Sequence, residues 1–254
     1  MQLIVIGSYG DLLVAIYWAR HLKINMIIPK NFQYLSSCLD CTSEVLEIEG
    51  PISFMNIKLK FKEIGFYSLI SNIFKETLYL IRIKNKIILG TTLKCVFYGI
   101  IINAKILLPV GNIYSHRYHL SRMPISALYI IFTNKINCFL KFKKLKFFQN
   151  KKTIYTCFPD SRVDIKNISN LQIEKISRKM VYRFGIDYYD FKELIDLINF
   201  SESIVSADSL PYHIAKYYDK DVISIVNVPY SLYWVEEKNA YKITNSETVI
   251  TQQD

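Results

Sequence analysis

Read only for apolar and polar positions, the chain alternates short apolar runs with stretches of helical period. Residues 2–6 (QLIVI) form a run of the buried-strand type, and residues 12–22 repeat apolar positions at Leu12, Leu13, Ile16 and Ala19. A second short run occupies 26–28. Between the first run and the helix stands Gly7-Ser8-Tyr9-Gly10-Asp11, a tight turn, so the opening predicts a β-α-β unit and the start of a doubly wound sheet. Further strands are predicted at 45–48, 86–89 and 105–108, and a helix at 66–81. Residues 115–144 read as mostly helical after Pro124, with His116, Arg117, His119 and Arg122 clustered near the start.

From residue 153 the pattern begins again. A strand is predicted at 153–158, then the turn Pro159-Asp160-Ser161-Arg162, Lys166, a helix from about 169 to 179 and a brief strand at 181–184. A helix follows at 191–200, with Leu194, Leu197 and Ile198 facing inward. Residues 204–225 (IVSADSLPYHIAKYYDKDVISI) then read as strand, polar turn, helix and strand. Asp208, Ser209 and His213 crowd the point where the strand hands over to the helix. The chain is expected to be α/β, with two Rossmann-like domains, 1–150 and 151–254, facing across a cleft.

Charge separates the same two halves. Residues 1–150 carry 19 Lys and Arg against 7 Asp and Glu, and residues 151–254 carry 13 against 15. A basic half points to an anionic partner or to an ordinary lysine-rich surface. No nucleic-acid motif accompanies the charge, so nucleic acid is not expected as a partner. No apolar stretch is long enough for a membrane span, and the chain opens on a strand rather than a signal segment, which predicts a cytoplasmic protein. The five cysteines (Cys38, Cys41, Cys95, Cys138, Cys157) include one CxxC without a second pair or a histidine cluster, so reduced thiols are expected and no metal site.

Two strand-to-helix turns carry acids: Gly10-Asp11 and Asp208-Ser209. In an open α/β sheet such turns hold helix caps, and they are also where ligands bind, because helix N-termini offer unpaired N–H groups to anions. Asp11 can therefore be a general base for an acceptor hydroxyl or a cap, and Asp208 a donor-site residue or a cap. Lys166 and the helix N–H groups would suit a phosphorylated donor. The glycine spacing in the first turn is GxxG, and no Asp or Glu ends the second strand, which argues against a nicotinamide cofactor.

GSYGDLLVAIYWARHL resembles the opening of the heptosyltransferases, glycosyltransferases of the GT-B fold. PDSRVDIK is similar to their proline, small-residue and lysine segment. FKELIDLINFSESIVSADSLPYHIAKYYDKDVISIV resembles their helix, strand, Asp-Ser/Thr-Gly turn and histidine, and PYSLYWVEE their later Trp-containing segment. The resemblance implies inverting, metal-independent transfer of a sugar from a nucleotide-activated donor to a bacterial lipopolysaccharide or surface-polysaccharide acceptor. The nucleotide sugar is then a substrate, and no cofactor is implied. Carried over by position, Asp11 is the base, and Lys166, Ser161, Asp208, Ser209 and His213 line the donor site. On the acceptor side stand Gly10, His116, Arg117, His119 and Arg122, for an anionic glycolipid or oligosaccharide, with peripheral association at the inner face of the inner membrane. Leu210-Pro211 stands where the family has glycine after Asp-Ser, Asn227 stands where a glycine is usual, and the second half is short. These departures motivate an alternative: a catalytically degenerate relative that binds nucleotide or scaffolds polysaccharide assembly.

Overall fold

A computed structural model describes residues 1–39, 44–46, 65–149, 153–176 and 178–243. Cys41, the end of the strand expected at 45–48 and the last residues of the basic run near 150 lie outside the described residues. The chain divides into two compact units, Met1–Leu140 and Lys141–Asp254.

In the first unit the strands are β1 (Gln2–Ile4), β2 (Asn25–Pro29), β3 (Glu44–Leu46), β4 (Lys86–Leu89), β5 (Lys105–Pro109) and β6 (Tyr118–Ser121). They form one sheet in the order β3-β2-β1-β4-β5-β6, parallel except for the β5–β6 pair. The register aligns Ile4 with Ile27 and Ile88, and Ile88 with Ile106. Side chains in register share a sheet face. These isoleucines therefore form one ladder, fully buried.

Three helices cover that ladder: α3 (Phe66–Arg82), α4 (Leu93–Ile101) and α5 (Pro124–Lys143). Leu80, Val96 and Ile131 from the three helices join the isoleucines in one core cluster. Gly99 brings α4 close to the strands: a Cβ there would lie 2.7 Å from Ile88 Cγ2 and 3.2 Å from Ile106 Cγ1. The remaining helices of the unit are α1 (Tyr9–Leu22) and the short α2 (Gln33–Cys38). Trp18 of α1 is fully buried, and its Nε1–H donates to Ile113 O at 2.9 Å. Lys86 opens β4, and its ammonium donates to Ile81 O (2.8 Å) and Ile83 O (2.9 Å), closing orphan carbonyls at the end of α3.

The second unit has β7 (Tyr155–Phe158), α6 (Asn170–Glu174), β8 (Lys179–Val181), α7 (Phe191–Phe200), β9 (Ser203–Ser206), α8 (Leu210–Tyr217), β10 (Asp221–Ile225) and β11 (Ala240–Tyr241). The sheet is wholly parallel, in the order β11-β10-β9-β7-β8. Both units are thus α/β, each with a mostly parallel, doubly wound sheet. Among the described residues no helix is long and apolar enough to cross a membrane.

The structure departs from the sequence pattern in three places. The helix expected at 169–179 stops at Glu174, and the strand after it comes earlier, at Lys179–Val181. Residues 93–101, an apolar run without visible period, form α4. The segment before Pro124, given no element of its own ahead of the expected helix, supplies the antiparallel strand β6, because its partner β5 offers a free edge and fixes Leu108 opposite His119.

Replacing Gly99 by Val drives methyl groups into Ile88 and Ile106. Urea unfolding should show a loss of about 2–3 kcal/mol, the usual cost of overpacking a close-packed core; unchanged stability would mean that α4 does not sit this near the strands.

Candidate functional site

Every strand of a parallel sheet ends on the same edge, and loops diverge where the winding direction reverses; ligands of open α/β sheets bind there. In the second unit the order β8-β7-β9-β10-β11 places that reversal between β7 and β9. The loop after β7 carries Asp160, Ser161 and, in a 3-10 turn (Asp164–Lys166), Lys166. The loop after β9 carries Asp208 and Ser209. Across the switch point Lys166 Nζ donates to Asp208 Oδ2 at 2.6 Å, and both side chains are largely withdrawn from water (13% and 3% exposed). The aromatic ring of Tyr230 lies 5.0 Å from the same ammonium.

Asp208 is not the helix cap. Ser209 is the N-cap residue of α8, its backbone extended, with no side-chain cap bond. Pro211, in the first turn of α8, has no N–H to offer, which costs the helix nothing because first-turn donors have no partner within it. Leu210 and Tyr212 keep theirs at that end. The terminus therefore offers one N–H donor fewer.

The β7 loop is held by polar side chains. Ser161 N–H donates to Asn167 Oδ1 at 2.5 Å, Ile168 N–H to Pro159 O at 2.9 Å, and Asn227 Nδ2 to Asn167 O at 2.6 Å. Gln172 Nε2 donates to Asn227 Oδ1 at 2.9 Å. Asn227, just after β10, thus ties the β7 loop and α6 to its own loop, a task a glycine has no side chain to perform. Beside them, Arg183 after β8 pairs with Asp160 at 2.5 Å and with Asn170 at 3.2 Å. Sequence reading missed Tyr230, Arg183, Asn167 and Gln172, since only the sheet order brings them to this edge.

His213, on the first turns of α8, is buried, with the Trp234 ring at 6.4 Å. Burial pushes its pKa down to about 4; Lys166 acts in the same direction and Asp208 against it. The imidazole is therefore neutral at pH 7.

In the first unit the order β3-β2-β1-β4-β5-β6 puts the switch point between β1 and β4. After β1, Ser8 caps α1 and Asp11 closes a capping box: Ser8 N–H and Oγ–H donate to Asp11 Oδ2 at 2.5 and 2.7 Å, and Asp11 N–H donates to Ser8 Oγ at 3.4 Å. Gly7 has φ +120°, and a Cβ there would fall on the Asp11 carboxylate, so the turn needs glycine twice over. Gly10 lies within the first turn of α1. After β4, Thr92 caps α4 by accepting from Cys95 N–H at 3.3 Å. Burial raises the Cys95 thiol pKa, and the negative charge of Asp11 adds to it, which places that carboxylate in the electrostatic neighbourhood of the β4 loop. Asp11 is thus a capping residue at a switch point.

The basic cluster does not converge. His116 turns to α1, its ring 4.9 Å from His21 and its Nδ1 3.3 Å from Tyr17 Oη. Tyr118 packs on Trp18 at 5.6 Å. His119, next along the strand, points to the opposite face. Arg117, His119 and Arg122 are all exposed. Of the described cysteines, Cys95, Cys138 and Cys157 are buried free thiols and Cys38 is half-buried; burial lifts Cys157 to about 12. Among the described residues no cluster of metal-ligating side chains occurs. A separate cleft lined by Lys144, Lys146, Glu237, Lys238 and Tyr241 contains none of the residues above.

No protein-family model matches the chain, and no curated protein matches it in sequence. Solved structures do. Over 95% of this chain and 92% of the other, it is similar to E. coli heptosyltransferase WaaC with ADP, at a TM-score of 0.47 and 10% identity. E. coli ADP-heptose lipopolysaccharide heptosyltransferase II matches at 0.47 and 13% identity, over 96% of this chain and 90% of that one. A glycosyl transferase family 9 protein from Veillonella parvula matches at 0.49 and 11% identity, over 95% and 86%.

Two outcomes test the site's electrostatics. Lys166→Ala strands the Asp208 carboxylate in a nearly dry position and should cost roughly 3–5 kcal/mol in urea unfolding, while Lys166→Met with Asp208→Asn should recover most of it. Equal losses in the single and the double variant would show that the pair is not coupled. Separately, between about pH 6.5 and about 4 the unfolded chain binds a proton at His213 that the folded chain refuses. Stability should therefore fall with pH across that window, by roughly 3 kcal/mol for this residue. His213→Gln should flatten that part of the profile; an unchanged slope assigns it to other groups.

Proposed function

We propose that the chain is a glycosyltransferase whose second unit binds a nucleoside-diphosphate sugar. One observation carries the reading: Lys166 and Asp208 meet across the switch point of a parallel sheet, beside the N-terminus of α8. A half-buried cation, two loops that part, and helix N–H groups suit a diphosphate better than an uncharged ligand.

In this reading the diphosphate lies against the first turn of α8 and shares Lys166 with Asp208. As the bond from the sugar's anomeric carbon to the diphosphate oxygen breaks, negative charge grows on that oxygen, and Lys166 offsets it. Ser161 and Ser209 supply hydroxyl groups, and neutral His213 supports the turn from beneath. In the first unit, Asp11 takes the proton of the acceptor hydroxyl as its oxygen bonds to the opposite side of the anomeric carbon, which inverts the configuration. Charge on the leaving group is met by Lys166 rather than by a bound metal. Of the heptosyltransferases with similar structures, one is described with ADP and another is named for ADP-heptose. For this chain we extend the proposal to an anionic glycolipid or oligosaccharide acceptor of lipopolysaccharide or surface-polysaccharide synthesis, on the cytoplasmic side, with Gly10 beside the base.

A second reading, nucleotide binding without turnover, is favoured by the proline at Pro211, which removes an N–H donor, and by the neutralisation of Lys166 by Asp208.

Thermal unfolding with a panel of nucleoside diphosphates and nucleotide sugars decides between them. At about a hundredfold excess over Kd, a bound donor adds about 2.7 kcal/mol and raises Tm by several degrees. No shift with any of them overturns the proposal. Asp11→Asn should keep the shift and abolish transfer, whereas unchanged turnover removes Asp11 as the base. A shift without transfer across many donors and acceptors favours the second reading.

A further inference from the structure

The helical layer of the first unit is apolar on both sides. Toward the sheet, α3 buries Leu69 and Leu80, and α5 buries Ala127 and Ile131. Toward solvent, α3 presents Tyr67, Ile70, Phe74, Leu78 and Ile81, and their spacing of three and four residues sets them in one stripe along the helix. Tyr67 is 88% exposed and Phe74 63%. On α5 the stripe is Ile125, Tyr129, Phe132, Ile136 and Leu140, with Ile125 81% and Tyr129 72% exposed. Between them in sequence, α4 exposes Phe97 and Ile101. All three helices bury residues in one core cluster on the isoleucine ladder, so their outward stripes share one side of the unit. A soluble monomer rarely leaves so many large apolar groups together in water.

The charges on these helices have one sign. Lys75, Arg82, Lys94, Lys135 and Lys143 are exposed, Lys141 at the end of α5 is paired with Glu237 at 2.6 Å, and the single acid on the helices, Glu76, is fully buried and accepts from Tyr98 Oη–H at 3.3 Å. The bias extends along the chain: no Asp or Glu occurs between Glu76 and Asp160, a span holding fourteen lysines and arginines. A second copy seated face to face would set cations against cations. An anionic bilayer meets both features, since its acyl region takes the rings and its phosphates take the ammonium groups.

We infer that the outward face of the α3–α4–α5 layer is a docking surface for an anionic lipid bilayer, on which the helices lie in the plane of the interface. None of them is long and apolar enough to cross it. Long lysine stems at the edges of the stripes let the rings descend while the charges stay at headgroup level. The inference rests on this face alone and not on the donor site.

Flotation of the full chain, without nucleotide, on phosphatidylcholine vesicles with and without roughly one-third phosphatidylglycerol tests it. Binding to the anionic vesicles is expected, weaker on the zwitterionic ones, and reduced but retained as salt rises. Phe74→Ser with Phe132→Ser, both exposed positions, should leave Tm unchanged and weaken partitioning about tenfold or more. Three results would overturn the inference: absence from anionic vesicles, equal binding by the double variant, or equal binding to both lipid mixtures. Sedimentation showing a dimer that the double variant splits, with no vesicle binding, would reassign the face to a second copy. Because no nucleotide is present, these results are independent of whether a donor shifts Tm.

Discussion

Parallel pairing makes every strand of a sheet finish on one edge, and the reversal of winding order opens that edge at a single place. Much of the chemistry in this chain follows from that constraint. In the first sheet the opening lies between β1 and β4 and receives Gly7, Ser8, Asp11 and Thr92; in the second it lies between β7 and β9 and receives Lys166, Asp208 and Ser209. Residues more than forty positions apart meet because the strands behind them are neighbours.

The two openings are equipped differently. Asp11 folds back on its own turn, where its Oδ2 is held by Ser8, and the glycine at Gly7 makes room for it. Asp208 points away from its own turn to a lysine on another loop. Burying that pair withdraws two charges from water, which favourable geometry repays only in part. Such a pair is better understood as a device that holds a cation at a chosen place than as a source of stability. The bonds joining Asn167, Gln172 and Asn227 keep the Lys166 loop where the pair requires it.

The helical layer of the first unit obeys a different logic. Its inner face follows the ordinary rule that an amphipathic helix buries its apolar stripe against a sheet. Its outer face breaks that rule over three consecutive helices while carrying cations and no exposed acid. A local exception at one residue would be unremarkable, since large apolar groups are common on protein surfaces. The same exception repeated at helical spacing on α3 and α5 marks a surface with an environment other than water.

Local periodicity alone determined the α/β class, the doubling of the βαβ pattern, the helices at α1, α3 and α7, and the strands β4, β5, β7 and β9, because a buried strand or a half-buried helix writes its period directly into the chain. It also marked the turns holding Asp11 and Asp208, since glycine and short polar residues gather where strands become helices. It could not see α4, which is apolar on both sides and so shows no period, or β6, whose strand character comes from the edge of β5. Above all, it left Asp208 either a cap or a site residue. Strand order removed the cap, by placing the β7 loop beside the β9 loop so that Lys166, and not a helix N–H, became the partner of its carboxylate. Side-chain partners separated by dozens of residues are set by which strands lie side by side, and that is a property of the folded sheet.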